Sequence, residues 1–424
     1  MQRHKLSSAV RFIACLFLAV SVSLPSALYA QYPAVNEDIA AHRKGELIIR
    51  AKPGEKIIVE QLSHEFWFGC AISNSLAGGG RWSDEEVKKY KEHFLENFNS
   101  AVTENAVKWP SMEPQKGKIN YAVVDGILSW TEANNIPLRG HNLFWGIEKF
   151  VQPWVKDLSD DELRKTLQRR AETVTAKYKG RFAEYDLNNE MIHGNYYEER
   201  LGPGITKDMA QWAHNGDPGA KLWLNDYDIL TGNRLADYMA QIRSLLKQRV
   251  PIAGIGVQGH LHGDSFDRDA LRSALDSLAV FGLPIRITEF NMPGQRSKYY
   301  RENIRTMTQE EEQARARDLV DYYRICFAHP AVSGILMWGF WEGANWIPVS
   351  SLYKLDWTPT PAAHAYRNLI FNEWWTKFSG AAGKNGSLTL PAFFGKYRVT
   401  INGVTREVEL NKNEGRTIVD FRQR

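Results

Sequence analysis

The sequence predicts an α/β protein: a (β/α)8 barrel with a small β-rich module formed by segments at both termini. Three observations carry that expectation. Across residues 66–376, eight short apolar runs alternate with longer amphipathic stretches, a rhythm and length that suit this barrel. Polar and ionisable residues recur at the ends of those runs, where a parallel barrel gathers its working groups. Both flanks alternate apolar and polar residues around turn signals.

Residues 1–30 read as an export signal. Arg3, His4, Lys5 and Arg11 give a basic start, residues 12–24 are apolar but short for a membrane span, and residues 25–30 resemble a cleavage region. A secreted or periplasmic protein is expected. Residues 31–65 read as an N-terminal β segment, with 46–50 and 56–62 on either side of a Pro53-Gly54 turn. The expected barrel strands are 66–72, 100–104, 138–144, 183–188, 221–225, 254–258, 284–288 and 334–338. Helical stretches between them include 84–98, 160–178, 233–248, 268–281 and 310–328. Ser159 and Glu162 form a capping box, each satisfying a free amide at a helix start. Residues 377–386, rich in Gly and Ala, read as a linker. In residues 387–424, a C-terminal β segment, Asn402-Gly403 joins strands 397–401 and 404–410 in a hairpin. The flanks read as one module; two unrelated extensions are the competing reading. Phe393, Phe394 and Tyr397 there either form a carbohydrate-binding patch or pack inward.

A formal net charge of +4 on 424 residues, with no run of Lys and Arg, suggests neither a nucleic-acid nor a membrane partner. Fourteen tryptophans exceed the needs of core filling, and indole faces suit the flat C–H faces of sugars. Beyond the signal, Cys70 and Cys326 read as buried free thiols rather than a disulfide framework. No nucleotide loop or nicotinamide fingerprint is present, and His260, His262 and Asp264 lack a further ligand for a metal. No cofactor and no metal are expected. His262 reads as loop.

The strand ends carry the chemistry. Glu104 and Asn105 end the second, His141 lies in the third, Asn189 and Glu190 end the fourth, and Asn225-Asp226-Tyr227 ends the fifth. Gln258-Gly259-His260 ends the sixth, Glu289 the seventh and Trp338 the eighth. Strands four and seven lie across the mouth from one another, so Glu190 and Glu289 can face each other. Facing carboxylates are what glycoside hydrolysis requires.

The stretches Asn99-Ser100-Ala101-Val102-Thr103-Glu104-Asn105, Arg139-Gly140-His141 with Trp145, Asp186-Leu187-Asn188-Asn189-Glu190, Asn225-Asp226-Tyr227, Val257-Gln258-Gly259-His260 and Ile287-Thr288-Glu289 resemble glycoside hydrolase family 10, the endo-β-1,4-xylanases. They fall in order over the whole barrel. The resemblance implies a retaining enzyme, with Glu289 as nucleophile and Glu190 as acid/base. It implies sugar contacts from Glu104, Asn105, Lys108, His141, Asn189, Gln258, His260, Trp338 and Trp346, with Trp109 beside them. Trp145, Asp226 and Asn291 would support these groups from behind. Lys108 as a solvated cation and Trp145 as core are the bland alternatives. The expected partner is xylan or xylo-oligosaccharide, bound by a monomer.

Three departures from the family's usual pattern stand out. Asn291 replaces an acidic residue that would complete a network with His260. Gly146 replaces a histidine, in a variant similar to a plant-like or related bacterial branch. Gly259 replaces a serine, which should leave the backbone beside His260 more open. Competing functions are a related β-1,4-glucan hydrolase and a non-catalytic carbohydrate-binding barrel.

Overall fold

The computed structural model describes residues 33–261 and 263–422. The expected signal at 1–30 and the loop reading of His262 lie outside them. Eight parallel strands close a barrel: Trp67–Ile72, Ser100–Thr103, Leu138–Gly140, Glu184–Asn189, Leu222–Asp226, Gly254–Val257, Ile285–Phe290 and Val332–Met337. The eighth pairs with the first, Gly334 opposite Trp67 through Met337 opposite Cys70. These strands are buried almost throughout, which is why they read as apolar runs rather than alternating ones. The third is shorter than expected. It stops at Gly140, and Phe144–Trp145 then rejoins the fourth strand opposite Asn188 and Asn189.

Helices wrap the outside, and three start with a reciprocal capping box: Ser83 with Glu86, Ser159 with Glu162, and Thr308 with Glu311. Cys70 and Cys326 are free and buried. Among the described residues, no helix is long and apolar enough to cross a membrane, and no group of His, Cys, Asp and Glu is disposed to hold a metal.

The two flanks form one module. One sheet has the order Ser387–Phe393, Lys44–Arg50, Arg416–Asp420; the other has Lys377–Ala381, Lys56–His64, Gly395–Ile401, Val404–Leu410. Each sheet mixes strands from both ends of the chain, around a core that includes Leu47, Ile49, Ile57, Val59, Tyr397 and Val399. Two expectations need correction. Residues 377–381 are a strand, paired antiparallel with Lys56–Glu60, so the connection shrinks to 382–386. The N-terminal segment opens with a helix, Pro33–Arg43, whose last residue reaches the barrel floor. Arg43 is buried there and donates to the carbonyls of Phe327, His329 and Val332.

Phe393, Phe394 and Tyr397 are all buried, so they form no exposed patch. Phe393 packs with His64 and Phe327 at the junction with the barrel. The module therefore docks on the floor side of the barrel, beside the first and eighth strands and away from the mouth.

Inside the barrel the floor is charged. Arg139 pairs with Glu184 and Asp186, and Arg286 with Glu184 at 2.8 Å. The Arg286 guanidinium lies 3.7 Å from the Trp67 ring centroid. Buried charges persist when paired in this way. One end of this network, Asp186, is also the base of the site above it.

Candidate active site

The mouth of the barrel brings the predicted residues together. Glu190 stands just beyond the fourth strand with φ 61°, a left-handed backbone conformation that a non-glycine residue rarely adopts. Its own backbone bonds hold it there: its N–H donates to Asn225, and its carbonyl accepts from His193 and Gly194. Such a conformation costs on the order of 1–3 kcal/mol and persists where the surroundings over-determine it. Here it turns the side chain into the cleft. One carboxyl oxygen accepts from the Trp145 indole at 2.8 Å and the other from the Gln258 amide at 2.8 Å.

Glu289 lies within the seventh strand and is surrounded differently. Oε1 accepts from Asn225 Nδ2 at 2.9 Å, and Oε2 lies 3.2 Å from His260 Nε2. His141 Nδ1 is 3.9 Å from Oε1 and 2.8 Å from Asp186, which ties the nucleophile side of the cleft to the charged floor. Asn225 also donates to Asn189 at 3.0 Å and accepts from Thr288 at 2.6 Å. One amide thus fixes Glu289 and Asn189 relative to each other.

These surroundings drive the two carboxyls apart in acidity. Burial pushes Glu190 above the usual carboxylate range, and the charge of Glu289 adds to it, against hydrogen bonds from Gln258 and Trp145. Burial alone would raise Glu289 too, but His141, His260 and Lys108 hold it down at about 2. The arrangement therefore keeps a proton on Glu190 to higher pH than on Glu289, which ionises first.

Lys108 is no solvated cation. It donates to Asn105 at 2.9 Å, lies over the rings of Trp145 and Trp338, and feels Glu289, Glu104 and Glu190. Glu104, next to it, is raised by burial and lowered by the Lys108 charge. Trp338 presents its edge to His141 and lines this side of the mouth. Trp346 is 41% exposed, and its indole donates to Asn291 at 2.8 Å.

Three expectations change. Trp109 is buried and donates to Glu113, so its ring is not offered to a sugar. Asn291 makes no hydrogen bond to His260; it holds Trp346 and donates to Ser350, while His260 Nδ1 is buried without a partner. Gly259 gives no extra room: φ is 76°, and a β-carbon there would meet Ile287 Cγ2 at 2.5 Å. Trp145 supports the site as expected, its indole donating directly to Glu190. Asp226 is fully buried, accepting from the Ile192 and Tyr227 amides and lying 2.7 Å from His193 Nδ1. Sequence reasoning missed His193, which stacks on Tyr227 with centroids 3.6 Å apart, and gave Asn225 no role. For Asn225 the signal was present, since it ends a strand in a motif already singled out. His193 follows Glu190 by three residues with nothing to mark it.

The sequence model described as "Glycosyl hydrolase family 10" matches residues 58–369. Among curated proteins, the chain is 36% identical over 374 residues to "Anti-sigma-I factor RsgI6" of Acetivibrio thermocellus, covering 86% of this chain and 46% of that protein. It is 34% identical over 352 residues to "Endo-1,4-beta-xylanase 1" of Arabidopsis thaliana, covering 82% of this chain and 34% of that protein. The chain thus spans less than half the length of these relatives. Among solved structures, xylanase 10B from Thermotoga maritima aligns with a TM-score of 0.62 and 26% identity, covering 73% of this chain and 96% of that one. The same enzyme type from Thermotoga petrophila RKU-1, solved in complex with xylobiose, aligns with a TM-score of 0.62 and 26% identity, covering 73% of this chain and 95% of that one.

Proposed function

Because the chain belongs to glycosyl hydrolase family 10, we propose that it is a retaining endo-1,4-β-xylanase, cleaving internal linkages of xylan through a covalent glycosyl-enzyme. The observation that carries this reading is the pair of glutamates at opposite sides of one cleft, Glu190 with its pKa raised and Glu289 with its pKa lowered. In the first step the Glu289 carboxylate attacks the anomeric carbon, the glycosidic C–O bond breaks, and the Glu190 proton passes to the departing oxygen. In the second step Glu190 takes a proton from water, whose oxygen displaces Glu289 and regenerates both groups. No cofactor or metal takes part in this scheme.

Asn189 suits the 2-hydroxyl of the reacting sugar, because Asn225 occupies its Oδ1 and its Nδ2 has no acceptor among the described residues. Hydrogen bonds at that hydroxyl strengthen as positive charge develops on the ring. Glu104, Asn105 and Lys108 form a polar group beside Glu289, suited to sugar hydroxyls on the non-reducing side. The basic and apolar start of the chain supports export, to the periplasm or beyond. The chain is proposed to act as a monomer.

The test follows new reducing ends on linear xylan and on soluble cellulose, with Glu289→Ala alongside. Xylan cleavage that disappears in the variant is expected; dominant cellulose cleavage would transfer the reading to a β-1,4-glucan hydrolase. A second reading, a barrel that binds its glycan without cleaving it, is favoured by one observation: a relative at 36% identity carries the name of an anti-sigma factor. Xylan binding by a folded wild-type chain with no turnover would select it.

A further inference from the structure

The 3-10 turn Glu148–Phe150 follows the third strand, in the loop where Gly146 departs from the family pattern. Phe150 ends that turn and is 39% exposed. Its ring stacks on Trp145, with centroids 4.0 Å apart and planes at 21°. Lys108 Nζ lies 4.9 Å from the same indole centroid. The indole is in contact with both, and its N–H is directed at Glu190 Oε2.

The turn itself does not need the phenyl ring. Its backbone closes through Phe150 to Ile147 and Val151 to Glu148 hydrogen bonds, and the buried Val151 and Val155 anchor the chain on its far side. Gly146 lets this loop approach the one after the fourth strand: its carbonyl accepts from Tyr196, and a β-carbon there would meet Gly194 O at 3.1 Å.

We propose that Phe150 is a positioning residue for proton transfer: it fixes the Trp145 indole against Lys108, and the indole in turn fixes the Glu190 carboxyl toward the leaving oxygen. The inference rests on the xylanase reading above. It places a determinant of the acid/base outside the residues that touch substrate, in a loop where this chain departs from the family pattern.

The test compares Phe150→Ala, Phe150→Tyr and wild type on linear xylan and on a dinitrophenyl xylobioside, with thermal unfolding as a check of fold. A dinitrophenolate departs without a proton, and kcat/KM reports only the steps up to its departure, so the aryl substrate bypasses Glu190 as acid. For Phe150→Ala, kcat/KM on xylan should fall roughly 3- to 10-fold, the worth of one weakened hydrogen bond. On the aryl glycoside it should stay at the wild-type level, and Phe150→Tyr should restore xylan cleavage. Equal loss on both substrates, or no loss on either, overturns the positioning role. A wild-type chain inactive on both overturns the xylanase reading itself, and the positioning role falls with it.

Discussion

The two sides of the cleft hold the same chemical group and treat it in opposite ways. Glu190 and Glu289 are both largely shut away from water, yet burial decides the acidity of only one. On the Glu190 side the neighbours are neutral donors, the Trp145 indole and the Gln258 amide, which steady the carboxyl without supplying charge. On the Glu289 side stand His141, His260 and Lys108, and their combined electrostatic pull, with the His260 hydrogen bond, outweighs the burial that would raise it. Desolvation is common to both sites; the charge of the neighbours separates an acid from a nucleophile.

Removing each carboxyl in turn breaks this comparison most severely. Glu289→Ala should lower turnover of xylan by roughly 10⁴-fold or more, because no other group can carry the glycosyl intermediate. Glu190→Ala should lose about 10²- to 10⁴-fold on xylan, the usual range for a general acid, but keep an activated aryl glycoside in play for the first step. Added azide distinguishes the two sides by product. It should give a glycosyl azide of retained configuration with Glu190→Ala, where the ester to Glu289 still forms, and of inverted configuration with Glu289→Ala. Identical azide products from both variants would dissolve the assignment of roles.

Asn225 links the halves of the machinery, so its loss ranks next. Asn225→Ala withdraws a donor from Glu289 and from Asn189 and leaves the buried Thr288 hydroxyl without its acceptor. A hydrogen bond to a charged group is worth about 1.5–3 kcal/mol, so kcat/KM on xylan should fall roughly 10- to 150-fold. Steady-state kinetics on a variant with an unaltered unfolding midpoint checks this. A loss below about 3-fold, less than one ordinary hydrogen bond is worth, would show that His260 and His141 orient Glu289 unaided.

Much of this was legible before the structure, and the boundary has physical causes. The barrel strands are buried on both faces, so they left apolar runs of clear length, and Glu190 and Glu289 stood out because each ends such a run. Residues 377–381 were obscured because their Gly and Ala content resembles a linker; pairing with Lys56–Glu60, far earlier in the chain, makes them a strand. Trp109 and Trp145 have the same side chain, and only three-dimensional packing decides that one donates to Glu113 in the core and the other to Glu190 in the cleft. Asn291 shows the limit most clearly. A missing charge was visible at that position, but its partners, Trp346 and Ser350, lie 55 and 59 residues away.

The smallest effect sharpens the comparison in pH. Activity needs Glu289 ionised and Glu190 protonated, so it fails as pH falls through the depressed pKa of the first and as pH rises through the raised pKa of the second. Lys108 stands near both carboxyls but bears more on Glu289, whose pKa it helps to depress. Lys108→Met keeps much of the apolar stem against Trp145 and Trp338 and removes the charge. Without the cation both carboxyls hold their protons more tightly, and Glu289 gains more from the change than Glu190. The acidic limb of kcat/KM against pH should therefore move upward, the alkaline limb should move upward by less, and the active range should narrow from its acidic side. Profiles measured on an uncharged xylo-oligosaccharide keep substrate ionisation out of the result. An acidic limb that stays in place while the alkaline limb moves would assign Lys108 to the Glu190 side and leave the two histidines to hold Glu289 ionised.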